Sequence, residues 1–217
     1  MNISNICILG AGILGSKIGL QAALSGFHVT VYDLHENSLK SSLASMQKIV
    51  THLIKSGEIT NSQGQEAIQK ISFTLDPIAA VENADLISES VTEDLEIKKE
   101  VWRKFGKLAP DKTIFTTNTS YLIPSMLAED SGRPEKFCAF HFHDVFNSRV
   151  VDIMPHLGTS AEIVTVLKDV GRKLNQIPIL VNKEHSAYIF NTLLTLKETL
   201  PQKLLQHYLK HTSTREN

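Results

Sequence analysis

The chain opens on a short apolar run, Ile6-Cys7-Ile8-Leu9, that stops at Gly10-Ala11-Gly12-Ile13-Leu14-Gly15. Four apolar residues ending at a glycine read as a central parallel strand, covered on both faces. The glycines restrict the next element to a tightly packed helix. Gly10 permits a tight turn, Gly12 lets the backbone approach a ligand, and Gly15 lets the helix pack closely on the strand. A helix that starts here aims its free amides at a phosphate. Asp33 stands 18 residues after the last glycine, at the end of a second apolar run. Gly10, Ala11, Gly12, Ile13, Leu14, Gly15 and Asp33 therefore read as a dinucleotide site, with Asp33 accepting hydrogen bonds from the adenosine ribose. A carboxylate there repels a 2′-phosphate and no arginine lies close after it, so NAD is favoured over NADP. FAD uses the same kind of turn and stays open.

Periodicity and turn residues lay out the remaining elements. Strands are expected at 6–9, 28–32, 71–75, 86–88, 113–117, 137–142, 150–154 and 177–181. Helices are expected at 13–25, 37–55, 62–70, 92–108, 160–174 and 186–209, with a further one opening at Asp76-Pro77. The helix at 92–108 carries Ile97, Val101, Trp102, Phe105 and Leu108 on one face. Alternating strands and helices predict an α/β fold, a Rossmann-type, doubly wound and mostly parallel sheet. Residues 1–184 read as the dinucleotide-binding unit and 185–217 as the start of a second, helical one.

Composition narrows the function classes. A net charge of -1 offers no electrostatic reason to propose nucleic acid or an anionic membrane as partner. No apolar run is long enough to span a membrane. The two cysteines, Cys7 and Cys138, each sit inside an apolar run, which argues against a disulfide framework and for a reducing compartment. With no basic start to the first residues, a cytoplasmic location is expected.

The chemistry concentrates between residues 118 and 152. An Asn118-Thr119-Ser120 turn comes after one strand, His141 ends another, and Asp152 lies eleven positions further on. Hydroxyl, imidazole and carboxylate are the parts of an oriented general base beside a polar clamp. A neutral imidazole removes a proton near pH 7, and a carboxylate on its far nitrogen fixes the tautomer. His143 and His156 are rival bases, His143 being read as facing the opposite side of the strand. Blander roles stand beside these: His141 as a packed core residue, Ser120 as the cap of a helix beginning near Ile123, Asp152 as a surface acid. The spacing of His and Cys shows no metal-ligand pattern, so no metal site is read.

These features resemble the 3-hydroxyacyl-CoA dehydrogenase family. The resemblance runs from Ile6 to about Leu194 and includes Glu89-Ser90-Val91-Thr92-Glu93-Asp94, Asn118-Thr119-Ser120, Arg133-Pro134-Glu135-Lys136-Phe137 and His141-Phe142. It implies NAD-dependent oxidation of the 3-hydroxyl of an acyl-CoA, 3-hydroxybutyryl-CoA being the simplest case, or the reverse step. By the same resemblance His141 is the general base, and Asp152 its carboxylate partner where glutamate is usual. Ser120 and Asn191 are then hydrogen-bonders to the substrate oxygen, and Glu93 and Lys98 contacts to the cofactor. Asp144 replaces an asparagine expected near the nicotinamide, the segment before Asp152 is one residue short, and Ala187 replaces a glycine. The family also implies an all-helical domain that dimerises and closes over the acyl-CoA, of which 185–217 would be a truncated start. Its last helix, rich in leucine, is expected to be covered by a homodimer partner, another chain or the dinucleotide-binding unit. Two other readings remain: a dehydrogenase of a free 3-hydroxy acid, such as a sugar acid or carnitine, and an inactive NAD-binding remnant.

Overall fold

The computed structural model describes residues 2–186. The apolar runs become eight strands: β1 (Asn5–Leu9), β2 (His28–Tyr32), β3 (Ile71–Thr74), β4 (Leu86–Glu89), β5 (Ile114–Thr117), β6 (Phe137–Phe142), β7 (Val150–Pro155) and β8 (Ile177–Leu180). The described helices are α1 (Ile13–Leu24), α2 (Glu36–Lys55), α3 (Asn61–Gln69), α4 (Pro77–Val81), α5 (Leu95–Leu108) and α6 (Ala161–Lys173). One sheet collects all these strands in the order β3-β2-β1-β4-β5-β6-β7-β8. Neighbours are parallel except β6 and β7, which run antiparallel. The strand order reverses between β1 and β4, the place where a doubly wound sheet leaves a crevice for a ligand.

Alternation along the strands divides the core between the two faces. Ile6 and Ile8 of β1 pack with Ile18 of α1 and Met46 of α2, whereas Cys7 and Leu9 pack with Trp102 and Phe105 of α5. Trp102 is fully buried, its ring 5.4 Å from Phe115 and 5.0 Å edge-on from Phe137. Truncating a buried aromatic of this kind costs about 3–5 kcal/mol. Both cysteines are free and buried, and burial pushes both thiols well above the ordinary range.

Some local expectations change. The fifth helix begins at Leu95 rather than 92, because Asp94 caps it, its carboxylate accepting from the Ile97 amide at 3.0 Å. Ile97 is then 44% exposed, and Lys98 takes the buried position instead. The helix expected near Ile123 is a single 3-10 turn, Pro124–Met126. The helix expected at 186–209, Asn191 and Ala187 lie outside the described residues. No described helix is long and apolar enough to cross a membrane.

Asp85, just before β4, ties three strands together. Its Oδ2 accepts the Ser4 and Asn5 amides at 2.9 Å each, and its Oδ1 pairs with Lys112. Burial alone would raise its pKa, but the Lys112 hydrogen bond and the two amides outweigh burial and lower it. A lowered carboxylate contributes stability above its unfolded value and loses it as pH falls through the folded one. Asp85→Asn is expected to destabilise by about 2 kcal/mol at pH 7, or roughly 4–8 °C in Tm. The gap to the parent should shrink as pH falls below about 4, which thermal melts at a series of acidic pH values would check.

Candidate active site

The glycine turn closes as the spacing requires. Gly10 adopts φ of 104°, and a Cβ there would lie 2.7 Å from the Ser90 carbonyl at the end of β4. A Cβ on Gly15 would lie 2.1 Å from the Gly10 carbonyl, so α1 could not approach β1 with any other residue. Gly12 faces open space, and no side chain caps α1. The first-turn amides are left for a ligand, which suits a phosphate. Asp33 is held by the Ala11 amide at 2.9 Å and the His35 amide at 3.0 Å. Ile13 and Leu34, at 82% and 72% exposure, flank this cradle as bare apolar surface.

Beside the cradle lies a buried charge network. Lys98 has no exposed side-chain surface; its Nζ stands 2.6 Å from Glu89 Oε1 and 3.3 Å from Glu93 Oε2. Glu89 also accepts from the Val91 amide at 2.8 Å and from Thr117 Oγ1 at 2.6 Å. Glu93 then reaches across the cleft to accept from the Ser120 and Tyr121 amides and from Thr119 Oγ1. Burial would raise the Glu93 pKa, but these bonds and Lys98 outweigh it and lower it. Lys98, expected as a cofactor contact, thus lies behind Glu93 and reaches the cleft only through it. Glu89 is a site residue that the sequence pattern alone does not single out; its signal is an acid closing an apolar strand with a lysine nine positions on.

At the ends of β5 and β6 the network meets the candidate catalytic groups. Asn118 Oδ1 accepts the Phe142 amide at 2.7 Å, joining the turn after β5 to the end of β6. Ser120 Oγ then lies 3.1 Å from His141 Nε2. The Pro124–Met126 turn has no side-chain cap, so Ser120 serves His141 instead of a helix end. The antiparallel register sets Asp152 directly opposite His141. Asp152 Oδ2 is 4.0 Å from His141 Nδ1 but 2.7 Å from His143 Nε2. His143 is therefore on the same face as His141, with ring centroids 4.4 Å apart. The opposite-face expectation fails because residues two apart on a strand share a face. The surface-acid reading of Asp152 also fails, since the residue is fully buried. Burial holds the His141 pKa below the ordinary imidazole value against the pull of Asp152, and His143 adds to the lowering.

Two other candidates are held within turns. His156 bonds the Pro134 carbonyl through Nε2 at 2.9 Å and the Gly158 amide through Nδ1 at 3.1 Å, in a turn at the far end of β7. Asp144 accepts from the Phe146 and Asn147 amides and from Asn147 Nδ2, with Lys17 at 3.8 Å. It stabilises the turn after β6 on the side facing α1.

The family model of 3-hydroxyacyl-CoA dehydrogenase, NAD binding domain, matches residues 5–185. The chain belongs to the 3-hydroxyacyl-CoA dehydrogenase family. A probable 3-hydroxybutyryl-CoA dehydrogenase of Bacillus subtilis (strain 168) is 28% identical over 183 residues, covering 84% of this chain and 63% of that protein. A diketoreductase, described as catalysing dicarbonyl compounds by substrate-directed dual catalysis, superposes with a TM-score of 0.85 at 35% identity, covering 90% of this chain and 70% of that one. The 3-hydroxybutyryl-CoA dehydrogenase of Escherichia coli K12 superposes with a TM-score of 0.80 at 25% identity, covering 83% and 38%. The chain therefore spans under two thirds of the Bacillus protein's length. NAD is the cofactor of the family's domain, and the open cradle at Gly12 and the ordered Asp33 suit it.

The chain should bind NADH at least about tenfold more tightly than NADPH, about 1.4 kcal/mol, and Asp33→Ala should narrow that gap in fluorescence titrations. Lys98→Met should cost about 3–5 kcal/mol, since it strands Glu89 in the core. Adding Glu89→Gln to that variant should recover much of the loss in denaturant unfolding curves.

Proposed function

We propose that this chain carries the cofactor site and catalytic base of an NAD-dependent dehydrogenase acting on the 3-hydroxyl of a 3-hydroxyacyl-CoA, in the manner of 3-hydroxybutyryl-CoA. The observation that carries this reading is the Ser120 Oγ to His141 Nε2 contact of 3.1 Å, beside the glycine turn at the strand ends. A hydroxyl lying beside the pair, within reach of both atoms, can be held by Ser120 while His141 Nε2 takes its proton. Bound NAD supplies the hydride acceptor. His141 becomes positive as it accepts the proton, and Asp152 at 4.0 Å stabilises that charge from the far side of the ring. At an effective dielectric of about 20 this pair is worth up to roughly 4 kcal/mol. Glu93 holds Ser120 in place through its amide, so Glu93 and Lys98 act as positioning residues. Asn191 is a further donor to the substrate oxygen in this reading. A homodimer or another chain is a further partner in this reading.

A second reading, oxidation of a free 3-hydroxy acid or reduction of a dicarbonyl compound, draws on the likeness to the diketoreductase structure. NADH absorbance with a panel of 3-hydroxyacyl-CoAs and CoA-free hydroxy acids separates the two. Turnover only with CoA-free compounds would select the second, and turnover with neither would reject both. His141→Ala should lower kcat by roughly 10²–10⁴ and leave NADH binding nearly unchanged.

A further inference from the structure

We propose that His141, His143 and Asp152 bind a divalent ion of the zinc class, and that its binding silences the base. The effect on the base rests on the proposed dehydrogenase function; the binding itself does not. The site arises from strand geometry. His141 and His143 share a face because they are two apart, and the antiparallel ladder puts Asp152 across from His141. One ligand atom from each residue lies within 4.8 Å of the other two. Both imidazoles aim at the same oxygen, Asp152 Oδ2, at 4.0 Å and 2.7 Å. The other oxygen, Asp152 Oδ1, is buried and has no hydrogen-bond partner among the described residues. Such a carboxylate oxygen is costly to leave unmatched, and a cation held against both carboxylate oxygens would satisfy it.

The donor set selects the ion. Two imidazole nitrogens and a carboxylate suit zinc, cobalt, nickel or copper, whereas magnesium and calcium prefer oxygen cages. Tetrahedral coordination at about 2.0–2.1 Å separates ligand atoms by about 3.3 Å. Shifts of about 0.7 Å, opening the shorter contact and closing the longer one, would bring both nitrogens to that distance from Asp152 Oδ2. The surroundings favour a cation: Glu93 adds its field at His141, and Lys98 beyond it is already paired with Glu89.

Occupancy would change what His141 can do. An ion on Nδ1 leaves the ring proton on Nε2, the atom facing Ser120. That nitrogen can then donate but not accept, so it cannot take a hydroxyl proton. Asp152 is also spent on the ion rather than on the imidazolium.

The test uses the full 217-residue chain, stripped with a chelator and titrated with Co²⁺ as a spectroscopic probe. One cobalt per chain is expected, with visible d–d bands of a low-coordinate nitrogen-ligated ion, displaced by Zn²⁺. His143→Phe should weaken cobalt about 100-fold or more while NADH binding and the melting curve persist. Asp152→Asn and His143→Gln, read the same way, guard against a single misfolded variant. In the turnover assay Zn²⁺ should inhibit the parent, a chelator should reverse it, and His143→Phe should resist it. No cobalt spectrum, or cobalt binding unchanged by all three substitutions, overturns the site, the latter because the ion then sits on other histidines. Cobalt bound as expected in a protein with no turnover supports the site and rejects the dehydrogenase reading. Turnover unaffected by bound zinc overturns the proposed silencing.

Discussion

The buried Lys98–Glu89 pair is the interaction on which the cleft depends. Both side chains are wholly excluded from solvent, with Nζ and Oε1 2.6 Å apart. A pair this deep is a weak source of net stability, because desolvation offsets most of the attraction. Its value is geometric. Glu89 ends β4 and holds Thr117 at the end of β5, while Lys98 brings α5 against both and orients Glu93. Glu93 then takes the amides of the turn that presents Ser120. The serine facing His141 is thus placed by charges anchored in the core.

The second constraint is the reversal between β6 and β7. Parallel strands need a long crossover, whereas an antiparallel partner returns through a short turn and can place a chosen residue opposite another. Here the return sets Asp152 against His141, and His143 joins them two residues on. An imidazole with one carboxylate partner thereby acquires a competitor for it. The same three groups form a compact ligand set, so the proposed base chemistry and the proposed metal binding would draw on one carboxylate.

Much of this arrangement is legible in the sequence, for identifiable reasons. The strands can be read because apolar runs such as Ile6 to Leu9 and Phe137 to Phe142 are continuous and sharply bounded. The glycine turn can be read because steric demand at Gly10 and Gly15 admits little else. Lys98 cannot be placed from sequence: a lysine on a helix reads as solvated until Glu89 is known to lie behind it. Ile97 is misassigned to the core for the same reason, since Lys98 takes the buried position next to it. Ser120 looks like a cap because the Pro124 turn resembles a helix start, and only the fold brings His141 to its hydroxyl. For His143 the alternation along a strand is sufficient and, applied correctly, puts it beside His141.

The turn joining β6 to β7 shows how narrowly this arrangement is specified. Residues 143–149 connect the strands, closed by the Arg149 amide donating to the Asp144 carbonyl at 3.0 Å. Arg149 adopts φ of 53°, a left-handed conformation that costs a residue with a side chain about 1–3 kcal/mol. Asp144 offsets part of that through its bonds to Phe146 and Asn147. The short turn determines the register, and register determines the face. A slip of one residue along β7 would turn Asp152 into the opposite layer and bring Val151 or Ile153 against the histidines. Asp144 therefore bears on the arrangement through the turn it stabilises, which decides whether His141 and His143 meet a carboxylate at all.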